Sequence, residues 1–389
     1  MIAEETHDSR RARRYHSRVA TPSLVRPAIR LRVPGNRKHL FFFRKMVVKP
    51  EKFIEAGAIV DVVDRTGATV GCGFYNPKSE IAVRMLGLPE DGLVENRLRA
   101  AVAFRESLKI DGDAYRVCHS EGDGLSGLVV DRYADVYSVE IFSLGMLKQL
   151  AAVRAFFPKV FVQADERTQE LEGFRLPSEK TPEGVVVREN GVHFRVDFAR
   201  GHKTGFFCDQ RENRKAVAEL ARGKDLLDLC CYTGGFGVAA AKAGANRVIG
   251  VDMDEKALET ARQNAKLNRV KVDFYHQDVF NYLKQTREKF DVVVLDPPKM
   301  TSDREELVKA RRDYHDMNRL AARAVKPGGV LVSCSCTGLV SEMEFLQIVQ
   351  QASERELRTF RVTGAGPDHP VSSLYPEGRY LKVVYSIVV

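Results

Sequence analysis

No run in this 389-residue chain approaches the roughly eighteen apolar residues of a membrane-spanning helix, and the amino terminus has no apolar stretch fit for a signal peptide. A soluble, unexported protein of the cytoplasm is the expectation. Cysteine is scarce as well: seven residues, an odd number without framework-like spacing, exclude a disulfide scaffold and fit a reducing compartment. Neither the adjacent Cys230-Cys231 nor the Cys334-x-Cys336 pair has the two-to-four-residue spacing and nearby histidine that zinc wants, so no metal is expected. Internal repeats and low-complexity tracts are lacking too. Acidic side chains fall short of basic ones, 52 against 61, and the resulting formal charge of +9 leans modestly towards a polyanionic partner.

What is present reads as an ordinary globular protein of two or three domains, 44% hydrophobic and 29% charged. The first 38 residues hold ten Lys or Arg against three Asp or Glu, and residues 1–28 read as a basic flexible tail. Glu4, Glu5 and Asp8 argue against a transit peptide, while an RNA-binding arm and a solvated extension both stay open. Residues 29–101 carry short β-like runs, such as Ala58 to Val63 and Ile81 to Met85, between turn residues, which predicts a small β barrel. There a basic cluster (Arg30, Arg32, Arg37, Lys38, Arg44, Lys45) surrounds Phe41-Phe42-Phe43, a run read mainly as core. Residues 102–190 mix helical spacing with hairpin-like strands and predict a small α+β central domain. Over residues 191–389, apolar strands at Leu226 to Leu229, Val248 to Val251, Val272 to Tyr275, Val292 to Leu295 and Val330 to Ser333 alternate with amphipathic helices. That alternation is the pattern of a doubly wound, Rossmann-like α/β domain.

The first of those strands runs into Tyr232-Thr233-Gly234-Gly235-Phe236-Gly237, glycines that let a ligand approach the backbone at the strand's carboxyl end. Asp252 ends the next strand, 18 residues after Gly234, placed to accept hydrogen bonds from ribose hydroxyls. This spacing alone serves NAD and S-adenosylmethionine equally. Asp228, before the glycines, suits a cationic amino-acid moiety, and Asp278, after the third strand, suits an adenine amino group; a dinucleotide has no comparable need for both. Gly201-His202-Lys203-Thr204 lacks the spacing of a phosphate loop, so ATP is not expected.

Asp296-Pro297-Pro298-Lys299 follows the fourth strand, where two prolines fix their own φ and form a rigid lip on which a planar base can rest. Asp296 is placed to bond the base ring, and Lys299 to face base or phosphate. Leu331 to Gly338 then brings two thiols to a strand's end. A pyrimidine C5 is too poor a nucleophile to take a methyl group unless something first adds at C6, and a thiolate is the natural additive. The combination points to chemistry on a nucleobase.

These motifs, with Ser120 to Gly127, Gly201 to Arg211, Ser335-Cys336-Thr337-Gly338 and Asp368-His369-Pro370, resemble the large-subunit (23S-type) rRNA cytosine-C5 methyltransferases. That family carries an amino-terminal PUA domain and a small central domain before a class I S-adenosylmethionine-dependent catalytic domain. The resemblance covers roughly Ile29 to Val389. It implies S-adenosylmethionine as cofactor, large-subunit rRNA as partner and Cys336 as nucleophile, with Asp296 catalytic and also beside the cofactor. It further implies that Phe206, Asp209, Gln210 and Arg211 wall or contact the cofactor, together with Asp228, Tyr232, Thr233, Gly234, Asp252 and Asp278, and that Pro297, Pro298 and Lys299 hold the base. Cys334, where the family has an apolar residue, reads as a core thiol. The family's His-Pro-Trp segment stands here as Lys38-His39-Leu40-Phe41-Phe42, and the chain has no tryptophan. Three rivals remain: methylation of a guanine exocyclic nitrogen on the same fold, a dehydrogenase, and a noncatalytic RNA-binding assembly protein.

Overall fold

Alternating apolar residues fold the first domain into a curled sheet in the computed structural model, which describes residues 26–34, 39–199 and 206–389. Its strands are β1 (Ala28–Arg30), β2 (Phe41–Phe42), β3 (Ala58–Val63), β4 (Thr69–Tyr75) and β5 (Val83–Gly87), in the order β1-β3-β4-β5-β2. Beyond β1, Leu31 bridges to Val47, and Arg32 N–H donates to the Met46 carbonyl at 2.8 Å, carrying the sheet round towards closure. Phe41 and Phe42 are buried, as read from the sequence, whereas Phe43, read as core with them, is exposed just beyond the end of β2. The basic tail lies almost wholly outside the described residues, as do Arg37, Lys38 and the Gly201 to Gly205 segment.

Helix α1 (Leu93–Ser107) leads into a four-stranded sheet of β6 (Ala114–His119), β7 (Leu128–Tyr133), β8 (Val136–Ile141) and β9 (Val160–Gln163). The short helices α2 (Leu144–Leu147), α3 (Leu150–Phe156) and α4 (Glu166–Glu172) complete this unit. One core runs through both domains: Cys72, Phe74 and Leu86 of the first pack with Leu98, Val130, Val139 and Met146 of the second. The approach is so close that a Cβ on Gly145 would lie 2.2 Å from Phe74 Cγ. The expected boundary at 101/102 falls inside α1, and that at 190/191 falls in the turn of a hairpin, β10 (Val185–Glu189) with β11 (Val192–Val196).

The last domain alternates α5 (Arg211–Leu220), β12 (Asp225–Leu229), α6 (Gly235–Lys242), β13 (Arg247–Asp252), α7 (Glu255–Leu267), β14 (Asp273–His276), α8 (Val279–Gln285), β15 (Phe290–Leu295) and α9 (Leu307–Arg323). Then follow β16 (Val325–Ser335), α10 (Glu342–Ala352), β17 (Leu357–Thr363) and β18 (Lys382–Val388). The seven strands lie in the order β14-β13-β12-β15-β16-β18-β17, parallel from β14 to β16, with β18 inserted antiparallel between β16 and β17. The apolar runs of β12, β15 and β16 are buried because helices cover both faces of a doubly wound sheet.

Buried charge ties this domain to the central one. The Asp368 carboxylate accepts two hydrogen bonds from Arg211, each 2.9 Å, and a third from the Arg116 backbone N–H of β6 at 2.9 Å. Its backbone carbonyl accepts from Arg105 at 2.8 Å. Between β17 and β18 the chain also returns to the first domain, where Leu40 N–H donates to the Leu374 carbonyl at 3.3 Å and the Phe41 and Tyr375 rings lie 5.1 Å apart.

Candidate active site

Parallel strands deliver their carboxyl ends to one edge, and the sequence-predicted carboxylates sit there: Asp228 within β12, Asp252 closing β13, Asp278 after β14 and Asp296 after β15. The turn after β12 is tight. Cys230, Tyr232 and Gly234 all have left-handed φ, of 58°, 49° and 78°. At Gly234 a side chain would also press on Phe274 and Ala261 at 3.1 and 3.2 Å, so glycine is required twice over. Tyr232 N–H donates to Asp252 Oδ2 at 2.7 Å, fixing the acidic side chain against the turn. Asp278 caps α8 by accepting from Asn281 N–H at 2.9 Å. Thr233 is held through its carbonyl, which accepts from Asn264 at 2.9 Å.

Asp228 is fully buried, yet only half its carboxylate is satisfied. Oδ2 accepts from Gly237 N–H at 2.8 Å, and Oδ1 has no hydrogen-bond partner among the described residues. Burial pushes its pKa up to about 8, against the pull of the Gly237 hydrogen bond. Asp296 is likewise pushed up to about 7, first by burial and then by the charge of Asp209, while Gln210 Nε2 donates to its Oδ2 at 3.1 Å. An orphaned, desolvated carboxylate oxygen beside a glycine turn is suited to a cationic ligand, and S-adenosylmethionine carries both a sulfonium and an ammonium. The residues present fit that cofactor.

The 206–211 segment divides. Asp209 Oδ2 accepts from Tyr380 at 2.6 Å, and its buried Oδ1 is unsatisfied among the described residues, as at Asp228. Gln210 touches Asp296. Phe206 is buried beneath the Arg214 guanidinium, 4.6 Å from the ring centre, and Arg214 in turn is held bidentately by Glu189 at 2.7 and 2.6 Å. Arg211, 1% exposed, has its guanidinium engaged by Asp368 and Glu212. Burial opposes ionisation of Asp368, but the His369 hydrogen bond and Arg211 outweigh it and hold the carboxyl well below the usual range. Arg211 thus supports the site from behind.

Cys336 lies half-buried just past β16, while Cys334 is fully buried within it. Burial, followed by the charge of Asp296, pushes the Cys334 thiol well up, and burial does the same to Cys230 and Cys231. The residues flanking Cys336 are pinned. Ser335 Oγ donates to Tyr314 Oη at 3.0 Å, and Thr337 Oγ1 shares a 2.8 Å hydrogen bond with the same hydroxyl. Thr337 Oγ1 also accepts from Met300 N–H at 3.1 Å, joining the thiol turn to the Asp296 to Lys299 lip. On that lip Pro297 is buried and Pro298 and Lys299 are exposed. Two neighbours escaped the sequence reading: Tyr314, whose pKa burial pushes up to about 12, and Lys382, buried at the start of β18. A lysine opening the apolar run Val383-Val384-Tyr385 was the available signal for the second.

Residues 165–360 match the S-adenosylmethionine-dependent methyltransferase family, and residues 36–87 match a PUA-like domain. The ribosomal RNA large subunit methyltransferase I of Photobacterium profundum is 37% identical over 374 residues, covering 89% of this chain and 94% of that protein. The protein of the same name from Aeromonas hydrophila is 38% identical over 374 residues with the same coverage. The chain belongs to the ribosomal RNA large subunit methyltransferase I family. It is an S-adenosylmethionine-dependent methyltransferase with a PUA-like domain before its catalytic domain. Two solved structures of proteins described as methyltransferases share the fold. One, complexed with SAH, has a TM-score of 0.77 at 20% identity and covers 94% of this chain and 100% of that chain. The other, from Streptococcus mutans, has a TM-score of 0.76 at 19% identity over 93% and 100%. Among the described residues no helix is long and apolar enough to cross a membrane, and no cluster of three or more His, Cys, Asp or Glu could hold a metal.

Proposed function

We propose that this methyltransferase forms 5-methylcytosine in large-subunit (23S) rRNA in the cytoplasm, through a transient covalent bond between Cys336 Sγ and C6 of the target base. The names of its relatives support the rRNA target. The observation that carries the cytosine-C5 reading is the half-buried thiol of Cys336, fixed through Thr337 to the Asp296 to Lys299 lip.

A cytosine extruded from its stack rests on Pro298, which the buried Pro297 holds in place, with Lys299 near its phosphate. Asp296, its pKa near 7, bonds the N3 edge and neutralises charge that develops there as Cys336 adds to C6. The addition makes C5 nucleophilic. When bound, S-adenosylmethionine supplies the electrophilic methyl group on its sulfonium. Asp228 faces the cofactor's cationic end, Asp252 its ribose and Asp278 its adenine, with Tyr232, Thr233, Gly234 and Asp209 forming the near wall. Loss of the C5 proton to water or a nearby polar group then expels the Cys336 thiolate.

The test is transfer of an isotopically labelled methyl group to unmodified large-subunit rRNA, naked and in assembled subunits, followed by nucleoside digestion and mass spectrometry. Wild type should yield labelled 5-methylcytidine, and Cys336→Ala none. Label in a guanosine that survives the substitution would move the reaction to an exocyclic nitrogen. Label in no nucleoside from either substrate would move the methyl acceptor off the large-subunit rRNA.

A further inference from the structure

Lys382 stands directly across from Ser335 in the antiparallel β16–β18 register, one residue from Cys336. It is 1% exposed. Its Nζ donates to the carbonyls of Thr337, at 2.7 Å, and Tyr380, at 2.8 Å, so its acceptors are two neutral oxygens on either side of the thiol turn. A buried ammonium without a counter-ion is costly, and the anionic groups acting on this one are Cys336 first, then Glu342 and Glu344. Each glutamate also lies beside an arginine that offsets its charge, Glu342 at 2.8 Å from Arg379 and Glu344 against Arg311. Cys336 is the anionic group that acts on the buried ammonium most strongly.

We propose that Lys382 is the positioning cation of Cys336, holding the turn that presents the thiol and stabilising it as a thiolate before addition and on departure. The inference rests on the reading of Cys336 as nucleophile. Burial lowers the pKa of Lys382 to about 8, and negative charge at Cys336 works against that lowering. At neutral pH the side chain is therefore mainly an ammonium. When the thiolate forms, the thiol proton leaves to water and Lys382 keeps its own. The sulfur lone pair then makes the S–C6 bond, and elimination returns it to sulfur beside the same ammonium. The other titratable groups around the pair are Tyr314 from α9, Cys334 from β16, Asp296 after β15, and the two glutamates of α10 with their partners Arg379 and Arg311. Those arginines pair with the glutamates, whereas Lys382 is the cation hydrogen-bonded to the thiol turn itself.

The experiment is alkylation of the full chain with iodoacetamide between about pH 5 and 10, reading the Cys336 peptide by mass spectrometry in wild type, Lys382→Arg and Lys382→Gln. The wild-type midpoint should fall below the ordinary thiol value of about 8.5, with Lys382→Arg close to it. Lys382→Gln keeps a donor for the carbonyls but no charge, and should raise the midpoint by about one unit. Coincident midpoints in wild type and Lys382→Gln overturn the proposal. So does a wild-type midpoint at or above about 8.5, which decides the matter even if the glutamine variant fails to fold. Retained methyl transfer by Cys336→Ala would instead defeat the nucleophile reading and leave the alkylation profile to stand by itself.

Discussion

Burial keeps Asp228 in its protonated form at neutral pH. Its pKa near 8 in the ligand-free chain stands above the unfolded value of about 3.9. The folded state therefore keeps a proton that the unfolded state has lost, and this group makes the ligand-free protein less stable as pH rises from about 4 to about 8. A cation placed beside Asp228 demands the ionised form, so cofactor binding should release protons and tighten with pH. The expected gain is up to about tenfold in Kd per unit between about pH 6 and 7. Asp228→Asn, which still accepts from Gly237, should bind S-adenosylmethionine more weakly with a flatter slope. Calorimetry in two buffers of different ionisation enthalpy measures the protons released; equal release by wild type and variant would remove Asp228 from the cofactor's contacts. Such carboxylates were legible in the sequence because each lies within, at the end of, or just after a strand of the alternating β-α pattern. Lys382 was not, since its burial and its bond to Thr337 are made across 45 residues of chain. Arg211, read as a wall of the cofactor site, owes its engagement to Asp368, 157 residues away.

At the scale of elements, α9 and β16 are joined where it matters. Tyr314 carries the one hydroxyl that meets both Ser335 and Thr337, the two neighbours of Cys336. Tyr314→Phe keeps the ring packed on Phe345 but leaves two buried hydroxyls short of a partner, at a cost of about 1–3 kcal/mol. A thiol turn freed to move should lose about tenfold in kcat with little change in KM for S-adenosylmethionine, because Asp228, Asp252 and Asp278, the carboxylates proposed to hold the cofactor, lie on or after other strands. Steady-state kinetics separates the two, and a change confined to KM would contradict the link. The strands from β12 to β16 could be read from sequence because they are buried on both faces. The pair β17 and β18 could not: β17 alternates Arg358, Thr359, Phe360 and Arg361 along an exposed edge, and no local pattern says that β18 returns between strands already made. The start of α1 at Leu93 was missed too, because its apolar face is completed by α3 and β6 rather than by its own periodicity.

The whole molecule is held as one body by shared interiors. The PUA-like and central domains have a common core, and Asp368 fastens the central sheet to α5. Asp368→Ala would leave Arg211 buried without its carboxylate and release the Arg116 backbone N–H, a loss of about 3–5 kcal/mol. Denaturant titration should show the unfolding free energy falling by that amount at unchanged m, and a loss under about 1 kcal/mol would mean that water replaces the carboxylate at little cost. The succession of a curled β sheet and a doubly wound α/β fold was readable because the hydrophobic period changes along the chain. The contacts between domains were not, since apolar residues such as Phe74 and Met146 and charged ones such as Arg211 and Asp368 meet only across long stretches of chain.

The late insertion of β18 has a consequence for vectorial synthesis. A ribosome making this chain delivers β16, with Cys336 just beyond it, and then β17, while the strand that belongs between them does not yet exist. Until Lys382 to Val388 follow, β16 has an open edge, β17 has no neighbour, and the thiol turn lacks the only ammonium that bonds to it among the described residues. The turn that carries Cys336 is therefore completed only once β18 has been made, across the 45 residues that separate Thr337 from Lys382.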